Sequence, residues 1–209
     1  MLRLRHAAIA AVLALAGAAA SSAPVTYTIV SKISRVSFSL EHQGFIQLFG
    51  TLRLAPGSFS FDSEDWSKST IAVSMPVKSL DMGDAVWNGQ IRGDEEWAKL
   101  FGTTSIDFRS TRLEHTAGNS GLLHGDLTLA GVTRPVTLQL RFNKMGRNEV
   151  SEFPSVGFSA TTTLKRSQFG LDAYSDLVGD DIAVQIQVEA AQGADGDAKH
   201  DTTALGVAH

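Results

Sequence analysis

The side chains in this chain best suited to proton transfer or metal ligation are six histidines: His6, His42, His115, His124, His200 and His209. No two of them fall at H-x-H or H-E-x-x-H spacing, so no metal site is expected. There is no cysteine, which excludes thiolate zinc, iron–sulfur clusters, a cysteine nucleophile and disulfides. His124 and Asp126 share one strand parity, but that pairing is too common to signify catalysis. The chain carries no G-x-S-x-G elbow, no P-loop and no G-x-G-x-x-G run. Its carboxylates are spread along loops without a recognisable acid–base pair. The sequence therefore predicts no catalytic residue, no cofactor and no enzyme.

Binding chemistry is better supported. Arg166 follows Leu164 in the parity of an apolar strand face. A cation there can meet a polar or anionic head group at the rim of an apolar cavity. The simpler alternative pairs it with a loop carboxylate such as Asp172, Asp176 or Asp180. His42 follows a strand in the loop Glu41-His42-Gln43-Gly44, a second rim candidate. Between Ser79 and Thr103, Trp87 and Ile91 are four apart, as are Trp97 and Phe101, a spacing that shares a helical face. Asp84 and Asp94 are suited to N-caps, and Gly89 and Gly93 argue for two short helical turns over one long helix. The tryptophans there either plug one end of the fold as core or line a ligand mouth.

The elements that must position these residues have a period of two. Val36, Phe38 and Leu40 alternate with polar neighbours, as do Leu52 and Leu54, then Ile71, Val73, Met75 and Val77. The same holds for Ile106 and Phe108, for Leu127 and Leu129, and for Val136, Leu138, Leu140 and Phe142. Two long runs complete the set: Val156 to Leu164, and Ile182, Val184, Ile186 and Val188. One apolar and one polar face per strand favours an antiparallel sheet. About eight strands, separated by turns such as Ala55-Pro56-Gly57-Ser58 and Thr116-Ala117-Gly118-Asn119, fit a sandwich or an up-and-down barrel. An eight-stranded barrel leaves room for one ligand.

The two ends read differently. Residues 1–20 carry Arg3 and Arg5, then about 14 apolar residues, then Ala18 and Ala20 before Ser21. That pattern predicts an exported protein with a cleaved signal peptide, the run being short for a bilayer span. Residues 191–209, rich in Ala, Gly and Asp, predict a disordered tail. The domain between spans 24–190. The whole chain has 209 residues, a net charge of -4, and 43% apolar residues. Its mean hydropathy is +0.01. Losing Arg3 and Arg5 would take the charge to -6, which argues against nucleic acid as partner.

Taken in order, these segments resemble the YceI family of secreted lipocalin-like proteins, from about Tyr27 to Ala190. The resemblance rests on Val36-Ser37-Phe38-Ser39-Leu40 leading into His42-Gln43-Gly44, then Phe49-Gly50-Thr51-Leu52. It continues through Ser79-Leu80-Asp81, Gly83-Asp84, Trp87-Asn88 and Ile106-Asp107-Phe108-Arg109-Ser110. The most specific runs are Gly125-Asp126-Leu127-Thr128-Leu129-Ala130-Gly131-Val132-Thr133-Arg134-Pro135-Val136 and Arg166-Ser167-Gln168-Phe169-Gly170. The chain departs from the family's frequent Asp-x-x-His-Ser opening, having Val30, Ile33 and Ser34 there.

The resemblance implies an all-β, eight-stranded antiparallel lipocalin-like barrel with one or two short helices in residues 83–101. It also implies a periplasmic protein that binds or carries a polyisoprenoid, quinone precursor or fatty-acyl-like lipid, with links to transport and stress responses. Family members are often dimers, so a homodimer is an open alternative. Burial of a long tail yields about 0.8 kcal/mol per CH₂, so affinity needs only one or two polar rim groups. Phe38, Phe49, Trp87, Ile91, Trp97, Phe101, Phe108, Phe158 and Phe169 are the candidate lining, with Arg166 and His42 at the rim. Two alternatives remain beside the carrier: a stress-related interaction module without a ligand, and an enzyme acting on an isoprenoid.

Overall fold

A computed structural model describes residues 23–193. The signal peptide assigned to residues 1–20 and nearly all of the tail assigned to 191–209 lie outside the described residues.

Ten strands form: β1 (Val25–Ile29), β2 (Arg35–His42), β3 (Ile46–Arg53), β4 (Ser58–Phe61), β5 (Ala72–Pro76), β6 (Ser105–Ala117), β7 (Ser120–Leu129), β8 (Val132–Arg147), β9 (Pro154–Lys165) and β10 (Val178–Ala191). Two short helices, α1 (Ala85–Gly93) and α2 (Ala98–Phe101), sit between β5 and β6. All pairings are antiparallel, in the order β3-β2-β10-β9-β8-β7-β6-β5. These eight are the strands read from the alternation. β1 and β4 are additional; they pair with each other, and β1 adds to the last residues of β10 through Thr28 and Ala191.

The sheet curls because one face of every strand is apolar and must leave water. Leu123, Leu127 and Leu129 of β7 face inward while His124 and Asp126 face outward, so that pair has no part in the interior. The seam between β3 and the segment after β5 is joined by few bonds. Thr51 and Asp81 exchange backbone hydrogen bonds at 2.8 and 3.0 Å, and the Ala55 N–H donates to the Ser74 carbonyl at 2.8 Å. Turn chemistry sets the β7–β8 register: Leu129 pairs with Val132 across Ala130 and Gly131, both with positive φ (50° and 77°). Such a two-residue turn matches the twist of the strands.

One end of the barrel is shut by β1 and β4. Phe59 and Phe61 of β4 bring their rings to 5.9 and 5.0 Å from Phe158 of β9, and Phe61 packs 5.7 Å from Trp66. Edge-to-face pairs of this kind add to burial. The other end carries the β2–β3 hairpin, the β9–β10 connection and α1.

Candidate functional site

The sequence between β5 and α1 explains why the helix docks where it does. Asp84 caps α1, its Oδ1 accepting from the Trp87 N–H at 2.8 Å. Asn88, buried within α1, donates from Nδ2 to Asp81 Oδ1 at 2.7 Å and accepts the Met82 N–H at 2.8 Å. Arg92 donates to the Leu80 carbonyl at 2.9 Å. The expected caps and the break near Gly93 are both present, with Asp94 capping a 3₁₀ turn at Glu95–Trp97. These bonds hold the helix beside the open end, with Trp87 and Ile91 turned to the interior.

The interior is a cavity of about 550 Å³ with walls almost wholly of hydrocarbon. Phe38, Trp87, Ile91 and Trp97 line it near the mouth end, with Phe108 and Phe158 deeper. His42 is the last residue of β2, not a loop residue, and also lines it. Both tryptophans border the cavity, and Trp97 also packs against the core. A second hollow of about 680 Å³ lies at the shut end, between Asp65, Trp66, Glu114 and His115. Its walls mix these charged and polar groups with Leu113 and Phe142, unlike the hydrocarbon walls of the first.

Three expected lining residues lie elsewhere. Phe49 is 68% exposed on the outer face of β3. Its cross-strand partner is Ser39, whereas inward Phe38 and Leu40 face Gly50 and Leu48, so strand parity itself puts Phe49 outside. Phe101 is half-buried against the core, not at the cavity. Trp97 closes a 3₁₀ turn, where three residues make a turn, so the four-residue spacing to Phe101 does not define one face. Phe169 is 1% exposed, inside the wall. It ends the 3₁₀ turn Arg166–Phe169, where the chain has left the sheet and strand parity no longer applies.

Arg166 lines the cavity, yet makes no carboxylate pair of the kind considered above. Its guanidinium donates to four carbonyls: Nε to Gly179 at 3.0 Å, Nη1 to Leu171 at 2.5 Å and Ala173 at 2.7 Å, and Nη2 to Val178 at 2.7 Å. With only 3% of the residue exposed, it clamps the β9–β10 connection from within. Asp180 instead accepts the Ser167 N–H at 2.9 Å and hydroxyl at 3.0 Å, and these bonds hold its carboxyl below the usual range.

Several wall residues were not singled out from the sequence. Leu40, Leu164, Ile182 and Val184 follow the same alternation that placed the strands, so parity alone identifies them. Gln90, Asp94 and Tyr174 supply polar atoms at the mouth. The Tyr174 hydroxyl donates to Asp94 Oδ2 at 2.7 Å, joining loops 80 residues apart, and that bond raises its pKa. No local signal marks such a contact. Gly50 lies under the Phe38 ring, and a Cβ there would collide with it. Among the described residues, no three His, Asp or Glu side chains converge as a metal site, and no helix is long and apolar enough to cross a membrane.

Residues 27–190 match a family model described as YceI-like domain. A UPF0312 protein of Ectopseudomonas mendocina is 31% identical over 170 residues, covering 80% of this chain and 88% of its own. One from Azotobacter vinelandii is 30% identical over 157 residues, covering 75% and 81%. Among solved structures, BcnA of Burkholderia cenocepacia superposes with a TM-score of 0.65 at 21% identity, over 78% of this chain and 98% of its own. A polyisoprenoid binding domain from Saccharophagus degradans, implicated in plant cell wall breakdown, does so at 0.57 and 14% identity, over 80% and 99%. At those identities the likeness to the solved structures is one of fold.

Proposed function

The chain belongs to the YceI-like family, and from that premise we propose that it is a periplasmic carrier holding one long-chain amphiphile, of isoprenoid or acyl type, in the barrel interior. The observation that carries this reading is the cavity: about 550 Å³, walled almost wholly by hydrocarbon, with few polar residues in its lining. A ligand site of that size lies within the usual range for small molecules, and few polar groups are needed to orient the occupant. Each buried methylene contributes about 0.8 kcal/mol, so a tail of about twenty carbons contributes about 16 kcal/mol, against a cost of association of about 4–15 kcal/mol. The name of the Saccharophagus degradans domain, which has the same fold, supports a polyisoprenoid as the tail class. Export rests on the Arg3, Arg5 and Ala-rich leader pattern of the first 20 residues.

The walls suit holding better than chemistry. The ionisable side chains that reach the cavity are His42, Asp94, Arg166 and Tyr174. Arg166 is committed to backbone carbonyls, and Asp94 and Tyr174 bond each other. The test is native mass spectrometry of protein purified from the periplasm of its own host, followed by solvent extraction. A co-purifying lipid at about one per chain is the expected result. A cavity that returns empty, and that takes up no added prenyl or acyl lipid, overturns the carrier reading.

A further inference from the structure

Resting on the lipid-carrier reading, we propose that the mouth selects an amphiphile with an uncharged polar head group, an alcohol or quinone-like carbonyl, and disfavours phosphate, diphosphate or carboxylate heads. The argument concerns where the charges at the opening are and what they already bind.

Among the described residues, the only arginine or lysine that lines the cavity is Arg166. Four of its five N–H groups are taken by the carbonyls of Leu171, Ala173, Val178 and Gly179. A phosphate normally wins an arginine through a bidentate pair of free N–H groups, and no such pair is left here. The side chain is 3% exposed, so moving it to meet a head group would leave buried carbonyls without donors.

The carboxylate on the cavity side stands at the mouth. Asp94 lines the mouth with both oxygens held: Oδ1 accepts the Glu96 N–H at 2.9 Å and Oδ2 accepts the Tyr174 hydroxyl at 2.7 Å. The segments that carry this pair add exposed Asp84, Glu95, Glu96, Asp172 and Asp176. Of the cations nearby, exposed Arg92 on α1 donates to the Leu80 carbonyl at 2.9 Å and is not part of the cavity wall, and Lys165 is bonded to Asp181 at 2.6 Å on the outside of the sheet. The Lys99 ammonium lies against Gly170, on an exposed side chain that is not part of the cavity wall. An anionic head would therefore bring like charge to Asp94 in a partly desolvated site.

Neutral polar atoms are available instead. The Gln90 side chain lines the mouth and makes no hydrogen bond among the described residues. An amide that can both donate and accept matches a hydroxyl or a quinone carbonyl. His42 lines the same opening, its Nε2 only 3.4 Å from the Gln43 amide.

The experiment measures geranylgeraniol and geranylgeranyl diphosphate, which share one tail, in competition against a fluorescent fatty alcohol on the full chain at pH 8. The expected result is a Kd at least about tenfold lower for the alcohol, equivalent to about 1.4 kcal/mol. Asp94→Asn keeps one oxygen to accept the Glu96 N–H and turns its amide N–H toward the Tyr174 hydroxyl, which can accept it; with the charge gone, that ratio should narrow about threefold or more through better diphosphate binding. Raising salt from 50 to 500 mM on the unaltered protein should narrow it as well, because repulsion is screened. This second measurement stands even if the variant does not fold. Gln90→Ala should weaken the alcohol about threefold or more. Equal or tighter binding of the diphosphate overturns the proposal while leaving a lipid carrier intact, as does a ratio that neither salt nor Asp94→Asn changes. Failure of both compounds to bind overturns the carrier reading, and this proposal with it.

Discussion

Asp81 and Asn88 tie the barrel seam to the helix at its mouth. The Asp81 backbone pairs with Thr51 across the seam, while its Oδ1 accepts from Asn88 Nδ2 at 2.7 Å and from the Gly83 N–H at 2.9 Å. One residue thus closes the sheet and holds α1 over the opening, so seam and mouth should respond together when this contact is weakened.

Asn88→Ala removes both side-chain bonds of a residue that is 8% exposed and leaves the Met82 N–H without its acceptor. The expected loss is about 1–3 kcal/mol, read as a lower urea midpoint. Because Trp87 lies beside it on α1, its emission should shift to the red before the global transition.

Acid should loosen this contact and two others. Hydrogen bonds from Asn88 and then Gly83 lower the Asp81 pKa, and Ser67 and Ser167 do the same for Asp65 and Asp180. A lowered folded pKa means that the folded chain binds the proton more weakly than the unfolded chain. The stabilisation is complete above the ordinary value of 3.8 and is lost as pH falls through the lowered folded values. Urea midpoints should be level from about pH 8 to 5 and fall below about pH 4. Asp81→Asn should flatten part of that fall.

Arg166→Leu tests whether this cation is a structural clamp. The carbonyls of Leu171, Ala173, Val178 and Gly179 lose their donor. A loss of about 3 kcal/mol or more is expected, since each stranded buried carbonyl costs about 1–3 kcal/mol and part of the loop can rehydrate. Arg166→Lys should recover little, because one ammonium cannot span four acceptors in a planar fork. A variant as stable as the parent, measured by denaturation, would return Arg166 to the role of a free rim cation.

The residues differ in how far sequence discloses them. Strand parity carries information along the chain, so the inward set from Val36 to Val188 was readable wherever a strand runs. β1 and β4 alternate as well, at Val25, Tyr27 and Ile29 and at Phe59 and Phe61, yet local pattern does not mark them as strands. At five and four residues they are too short for a period to stand out. Phe49, Phe101 and Phe169 lie off the cavity because strand parity, the tighter pitch of a 3₁₀ turn and departure from the sheet, respectively, set their directions. The Asp94–Tyr174 bond and the four carbonyls around Arg166 depend on how distant loops meet, which no local pattern encodes.

Gly50 is where backbone and ring meet inside the wall. A Cβ at this position would collide with Phe38 and come within 2.7 Å of Met82 Sδ, and both side chains border the cavity. Gly50→Ala should therefore push Phe38 into the lumen, at a cost of about 1–3 kcal/mol for overpacking. Lipid capacity should fall more than stability does, seen as lower occupancy in native mass spectra with a cooperative melt retained.

The shut end should limit the length of tail that the cavity accepts. Phe61 is 3% exposed, borders the cavity, and packs 5.0 Å from Phe158 and 5.9 Å from Phe142. Phe61→Ala should cost about 3–5 kcal/mol, since the ring leaves a void that its neighbours fill only in part. That void is continuous with the lumen, so a longer tail can enter it. With the parent protein, affinity for a series of alcohols should rise with each carbon and level off once the tail reaches β4. In the variant the plateau should move to longer tails, and long alcohols should raise the melting temperature more than short ones do, because a ligand bound only by the folded state restores stability. Phe49→Ala, on the outer face, should shift neither. If lipids bind the variant with the parent's length dependence, the tail does not extend to Phe61, and the floor must lie nearer the mouth.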